Sequence, residues 1–355
     1  MNARERFNAT LDFEPVDRLP FMEFMGYWPE TLERWSAEGL SASDPAQHFG
    51  YDPYVVLPID FNFVPPFAEA VLEDHGDREL VQDCTGVVKV RYKHGSAMPH
   101  YVRFPIECRQ DFLDLMPRLQ GDDPARYPAD WDRQAAALRN RDYPVGLVCR
   151  GFLAFERDFM DFATMMEAFA EQPEWIEEMM EFHLDFMIKL WDRVTRDVEI
   201  DLVVLGEDMA YKNGPMISPA MVRRMMTPRY ARLTEFLRSR GVRHIIVDSD
   251  GDMRSLIPAY LDGGITGILP MERIAGVDPV ELRREYPRLQ MIGGIDKLQI
   301  ALGGAHIEAE VDRVVNALRP TGGYIPSFDH SVHPGVSLAD YERYLVRLRQ
   351  AVACG

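Results

Sequence analysis

The sequence predicts an α/β fold: a TIM (β/α)8 barrel with an N-terminal β-hairpin excursion. Three observations predict it. From about residue 143, short apolar runs alternate with amphipathic segments of helical length, the pattern of parallel strands joined by helices. Two earlier apolar runs bring the strand count to about eight. No glycine-rich dinucleotide loop follows the first strand, which favours a barrel over a doubly wound sheet.

The elements follow in chain order. Residues 1–14 read as a short amphipathic helix, with Phe7 and Leu11 at helical spacing. Pro15 and Pro20 bracket the approach to an extended run at 21–25, and a helical pattern covers 29–39. A second extended run, 54–59, ends at Asp60 before the breaker Pro65-Pro66. Residues 79–104 differ. Glu79-Leu80-Val81-Gln82 and the run from Val87 to Tyr92 alternate with period two around the turn Asp83-Cys84-Thr85-Gly86, which signals a hairpin acting as a cap or a dimer arm. Strands are expected at 145–149, 202–205, 244–247, 267–269, 289–292 and 323–326. Helices are expected near 160–170, 173–196, 219–239, 252–262, 278–286, 307–318 and 337–352. Ser218-Pro219 sets a cap before a proline at the first helical position. Gly241 and Gly263 mark helix ends. No repeat or flexible linker divides the chain, so 1–355 reads as a single barrel domain with 79–104 inserted.

Composition narrows the function. Among 355 residues, 39 Lys and Arg face 57 Asp and Glu, for a net charge of −18. That balance excludes a nucleic-acid footprint and disfavours an anionic membrane surface. The start of the chain carries no apolar signal segment, and no apolar run approaches the ~18 residues of a membrane span, so a cytoplasmic enzyme is expected. The cysteines are Cys84, Cys108, Cys149 and Cys354. They form no CxxC pair and no disulfide framework, so any metal must be held mostly by His, Asp and Glu.

Barrel chemistry sits where strands end. Here the strand ends are polar in a repeated way: Asp60; Glu207-Asp208; Asp248-Ser249-Asp250; Glu272-Arg273; Asp296-Lys297; and Asp329-His330. Asp and Gly favour such turns anyway, but Glu does not, and six strand ends of this kind exceed turn chemistry. Converging carboxylates repel unless they gain protons or a cation, which favours a metal site over a bare acid/base pocket. Asp248 and Asp250, two apart on a strand, point the same way. With Glu272 and His330 they form an oxygen-rich ligand set suited to Zn²⁺, Mn²⁺ or Fe²⁺, with zinc taken as the leading divalent metal. Glu207 and Asp208 are candidate acid/base groups, and Tyr211 a candidate substrate contact. Phe152, with other aromatics just past the strand ends, reads as core by default and, given its place at the rim, as a candidate wall of an apolar pocket. Arg150 and Arg157, after the strand at 145–149, read equally as binders of a substrate carboxylate and as salt-bridge partners of the many acids. His244 opens its strand at the opposite end and reads as structural.

From about 143 to 350 the chain resembles the uroporphyrinogen decarboxylase superfamily, including its corrinoid- and coenzyme M-dependent methyltransferases. The resemblance rests on the stretch from Ser218 through Pro228 to Tyr230, on Ile245-Ile-Val-Asp-Ser-Asp-Gly-Asp252, and on the stretch from Gly322 to Pro334. It implies a barrel active at the strand C-termini and a homodimer. Asp60 matches the strand-end aspartate with which the decarboxylases hold pyrrole N–H groups. Their Arg-Gln-Ala-Gly-Arg stretch has no counterpart, because residues 21–28 contain no arginine, and this argues against porphyrinogen decarboxylation. Matched to the thiol-activating methyltransferases, Asp248 stands for a His, Asp250 for a Cys and His330 for the late Cys; Glu272 lies near a Glu. Harder ligands replace every thiolate. The resemblance therefore implies a metal-dependent methyl or alkyl transferase acting on a small oxygenated or methylated substrate, with a corrinoid protein as partner. The alternatives are a decarboxylase of a small acid and a barrel that binds a ligand without catalysis.

Overall fold

The computed structural model describes residues 1–41, 45–94 and 98–353. Its centre is a curled parallel sheet of seven strands. In chain order these are β1 (Val55–Val56), β6 (Val145–Arg150), β7 (Leu202–Gly206), β10 (His244–Asp248), β11 (Gly267–Leu269), β12 (Gln290–Ile292) and β13 (Tyr324–Ile325), each paired in parallel with the next. Four antiparallel strands form a separate arm: β2 (Ala70–Asp74), β3 (Arg78–Gln82), β4 (Val88–Tyr92) and β5 (His100–Arg103). Strands β8 (Ala210–Tyr211) and β9 (Gly214–Pro215) make a small hairpin above β7. The fold is the expected barrel type.

Two-residue periodicity separates the faces of the sheet. Leu202, Val204, Ile246, Leu269, Ile292 and Ile325 point inward and pack with Met22 in one cluster. Their neighbours Val203, Leu205, Ile245, Val247, Ile268 and Met291 point outward under the helices. The longest helix, Pro173–Asp197, buries a full stripe from Trp175 to Val194 against that layer. Helix 219–239 begins on the Ser218 hydroxyl, which accepts from the Met221 N–H. It widens into a π turn at Val222–Met226, just before Pro228, which has no N–H to donate.

The run at 21–25 is a correction. It fills the gap between β1 and β13, but not as a ladder strand. Phe21 accepts from the Asp52 N–H, the Phe24 N–H donates to Ser327 Oγ, and Val332 pairs with Gly26 and Trp28. The Glu23 side chain takes the Ser327 hydroxyl at 2.7 Å, a position where a ladder would use backbone. The run at 54–59 is likewise paired only at Val55–Val56. The hairpin expected over 79–104, of which residues 95–97 lie outside the described residues, is part of a four-stranded arm that starts earlier, at β2, a strand the alternation did not reveal.

The helix Ala3–Leu11 closes the N-terminal end of the barrel. It starts with a capping box from Asn2 and Glu5, and its Phe7 and Leu11 join the inward cluster. Leu11 O accepts from Gln290 Nε2, which also bonds His244 Nδ1 at 2.9 Å. Burial pushes His244 down to about 4, so it is neutral and structural, as the sequence suggested. Cys84, Cys108 and Cys149 are free thiols; Cys354 lies outside the described residues. No described helix is long and apolar enough to cross a membrane.

Candidate metal centre at the barrel mouth

At the C-terminal ends of β10, β11 and β13, ligand atoms of Asp250, Glu272 and His330 lie within 4.8 Å of one another. His330 Nε2 is 3.3 Å from Asp250 Oδ2. The hydrogen bond to Asp250 raises the His330 pKa against an opposing burial effect. The Gly251 N–H holds Glu272 Oε2 at 2.9 Å. Only glycine fits there: φ is +75°, and a Cβ would meet Ala210 O at 2.4 Å. Met271, immediately before Glu272, is buried with φ +66°, and Asp208 has φ +41°. Two strained non-glycine residues at one rim fit a site whose geometry the fold over-determines.

Two strand-end groups to which the sequence assigned no role of their own brace this cluster. Asp329 is 1% exposed and accepts the Arg273 and Lys297 N–H groups at 2.9 and 3.0 Å, tying the loops after β11 and β12 together. Lys297 Nζ lies 3.6 Å from both Glu272 Oε1 and Asp329 Oδ1. The donor set of two carboxylates and one imidazole, with no thiolate, fits a hard or borderline divalent cation.

Other expected site residues are arranged differently. Asp248 stands outside the three-residue group, deeper at the end of β10. Burial pushes its carboxyl up to about 8, and Asp208 and Asp250 add to the shift. Glu207 is fully buried. It caps helix Phe152–Phe159, accepting N–H groups from Phe152, Leu153 and Ala154, and it also accepts the Tyr230 hydroxyl. Its pKa is pushed up to about 7 by burial. Gly151 leaves room for it, since a Cβ there would lie 2.1 Å from the carboxylate. Glu207 therefore faces a helix N-terminus and not the mouth. Phe152 is 0% exposed and packs on Tyr230 with ring centroids 5.1 Å apart, so it is core and not pocket wall.

Asp208 remains at the rim, with Arg157 Nη2 at 3.2 Å and the Asp250 N–H at 3.4 Å. Asp60 Oδ1 accepts the Asn62 N–H at 2.9 Å. Arg150 reaches Asn62 Oδ1 at 3.2 Å and is paired with Asp158, so its charge is already matched. Tyr211 is 57% exposed beside Phe162. Glu23, held at the barrel seam, is pushed up to about 7 by burial. No sequence pattern singled it out, because its run reads as an ordinary apolar strand.

Comparison with solved structures gives a methyltransferase from Methanosarcina mazei, with TM-score 0.61 and 15% identity over 99% of this chain and 98% of that one. At that identity the likeness establishes the fold alone. A candidate vitamin-B12-independent methionine synthase from Listeria monocytogenes matches 61% of this chain and 66% of its own, at 11% identity and TM-score 0.36, too weak to carry an argument. No curated protein matches. The family model for uroporphyrinogen decarboxylase (URO-D) matches residues 155–350, more than half of the sequence and the part that holds β7 to β13 with the acid cluster. The chain belongs to the uroporphyrinogen decarboxylase (URO-D) family.

Proposed function

We propose that this protein is a metal-dependent methyl or alkyl transferase acting on a small oxygenated or methylated substrate. The observation that carries the reading is the convergence of Asp250, Glu272 and His330 within 4.8 Å at the strand ends. These three residues would hold a divalent cation, zinc being the first choice, and Asp248 would stand behind them as a buried carboxyl. When bound, the cation supplies Lewis acidity towards an oxygen of the substrate. The chain's own groups orient the site: Gly251 and Lys297 fix the two oxygens of Glu272, and the His330–Asp250 contact, which a bound cation would replace, keeps those two ligands side by side. Asp208, at the rim beside Asp250, is the acid/base candidate left in reach of a substrate. A carboxylate-rich centre suits an oxygen substrate better than a thiolate, and a corrinoid protein is the proposed methyl donor or acceptor. A homodimer in the cytoplasm completes this reading.

Metal analysis of purified wild type, Asp250→Ala and His330→Ala tests it. We expect about one equivalent of divalent metal in the wild type and a loss in both variants. Negligible metal in all three, or unchanged metal in both variants, sinks the reading. The second reading is decarboxylation of a small acid. It is favoured by Asp60 and Arg150 meeting through Asn62, and it predicts CO₂ release with no methyl acceptor present.

A further inference from the structure

Between the arm and the barrel rim lies a cleft of about 570 Å³. That volume suits a small organic ligand. Its floor comes from the segments after β6 and β7, and its roof from β4 and β5. The cleft reaches Asp208, whose Oδ1 accepts the Asp250 N–H, so it opens onto the acid cluster.

Every charge lining the cleft has an opposite partner within it. Lys89 Nζ is 2.7 Å from Asp83, Arg157 is 3.2 Å from Asp208, and Arg150 is paired with Asp158. With three cations facing three anions, no charge is left over to recognise an ionic substituent. Half of the uncharged lining is rings, and Thr85, Val87, Met98 and Met160 make up the other half. On the arm, Tyr101 and Phe104 have centroids 5.4 Å apart. On the barrel side, Phe162 and Tyr211 meet edge to face at 6.4 Å. Tyr101, Phe162 and Tyr211 are 44%, 37% and 57% exposed, so core packing does not account for them. Aromatic surface left open on two facing walls is suited to stacking against a flat partner.

We propose that this cleft is the substrate pocket and that it selects an uncharged, ring-bearing small molecule. The proposal rests on the transferase reading only for the placement of the reacting end near Asp208 and Asp250. It is the reverse of the carboxylate clamp that Arg150 suggests in sequence, and of any pocket built for a polyanion.

The test uses three near-isosteric probes that differ in charge: benzamide, benzoate and benzamidine, which is a cation at neutral pH. Binding to the full-length wild type is measured by ligand-observed NMR titration. Benzamide is expected to bind at least about tenfold tighter than benzoate, and no weaker than benzamidine. Phe162→Ala should weaken benzamide about tenfold. Phe162 is the first residue of its helix and is partly exposed, so the variant should fold. Asp158→Asn unpairs Arg150 and should raise benzoate affinity about tenfold. Tighter wild-type binding of benzoate or benzamidine overturns the proposal, as does benzamide binding that ignores Phe162→Ala. Because binding is read without turnover, a metal-free protein with the expected probe ranking would sink the transferase reading and leave the pocket standing. A metal-loaded protein with the wrong ranking would do the opposite.

Discussion

Two buried aspartates, Asp201 at one end of the barrel and Asp248 at the other, are treated in opposite ways. At the N-terminal end Asp201 is 5% exposed and surrounded by donors: Arg4, Asn8, Arg141 and the Val145 N–H. Burial would raise its pKa, but these hydrogen bonds hold it below the usual range. At the C-terminal end Asp248 is pushed up to about 8 by burial and by Asp208 and Asp250, and Glu207 just behind the rim to about 7 by burial. The apolar plug of Phe7 and Leu11 and the matched charges make one end an anchor. The other end gathers carboxylates faster than cations, an arrangement that holds only with protons or a bound cation.

The sharpest way to break this contrast is the same substitution made at each end, starting with the anchor. Asp201→Asn leaves Arg141, whose side chain is 1% exposed, without its carboxylate. Breaking a buried pair in this way costs about 3–5 kcal/mol. Urea denaturation at neutral pH should register that loss, while the metal content per folded molecule stays as in the wild type. A cost under about 1 kcal/mol would mean that Arg4 and Asn8 bind water as readily as Asp201 and that the anchor is no anchor.

The second effect is on pH dependence. Glu207 has a folded pKa near 7 against 4.5 for the free group, so the folded state keeps a proton that the unfolded chain releases. Its contribution to stability is complete below pH 4.5, falls as the pH rises, and is gone above about 7. Between pH 5 and 7 one such carboxyl gives a slope of up to about 1.4 kcal/mol per pH unit. Asp201 works with the opposite sign, stabilising above the usual aspartate pKa and losing that effect as the pH falls. Glu207→Gln should flatten the fall in stability between pH 5 and 7 by about one proton, measured by urea titrations at pH 5, 6 and 7. An unchanged slope would show that Glu207 is ionised in the folded state and that its helix cap outweighs its burial.

The sequence made the second half of the chain readable and the first half much less so. Apart from the small hairpin of β8 and β9, each strand from β6 to β13 holds an apolar run that gives way to polar residues past its end, so period and boundary agree. In the first third the backbone of 19–28 is held in part by side chains, Asp52 accepting the Phe21 N–H and Glu23 the Met25 N–H, and no local pattern encodes that. The convergence of Asp250, Glu272 and His330 was legible because strand ends converge in any barrel. Glu207 misled because a carboxylate just past a strand reads alike whether it turns into the mouth or under the next helix. Only Gly151, which clears the space beside it, carried the difference. Lys297 and Asp329 were in view, but their bracing depends on loops from two strands meeting, which spacing along one chain does not reveal.

The smallest expected effect sharpens the contrast most. Asp250→Asn is the counterpart of Asp201→Asn at the open end, where Asp250 is 36% exposed in its side chain and bonded chiefly to His330. Loss of that contact weakens the fold, while relief of repulsion from Asp208, Asp248 and Glu272 strengthens it. In metal-free protein the two nearly cancel, and the net change should stay within about 1 kcal/mol of wild type in urea denaturation. With a stoichiometric divalent cation added, the wild type should gain stability by mass action and the variant should gain little. A metal-free variant destabilised as strongly as Asp201→Asn would make the acid cluster part of the scaffold. Equal stabilisation of both proteins by the cation would move the binding site away from Asp250. Either result erases the difference between the two ends, because both would then be built chiefly to hold the barrel together.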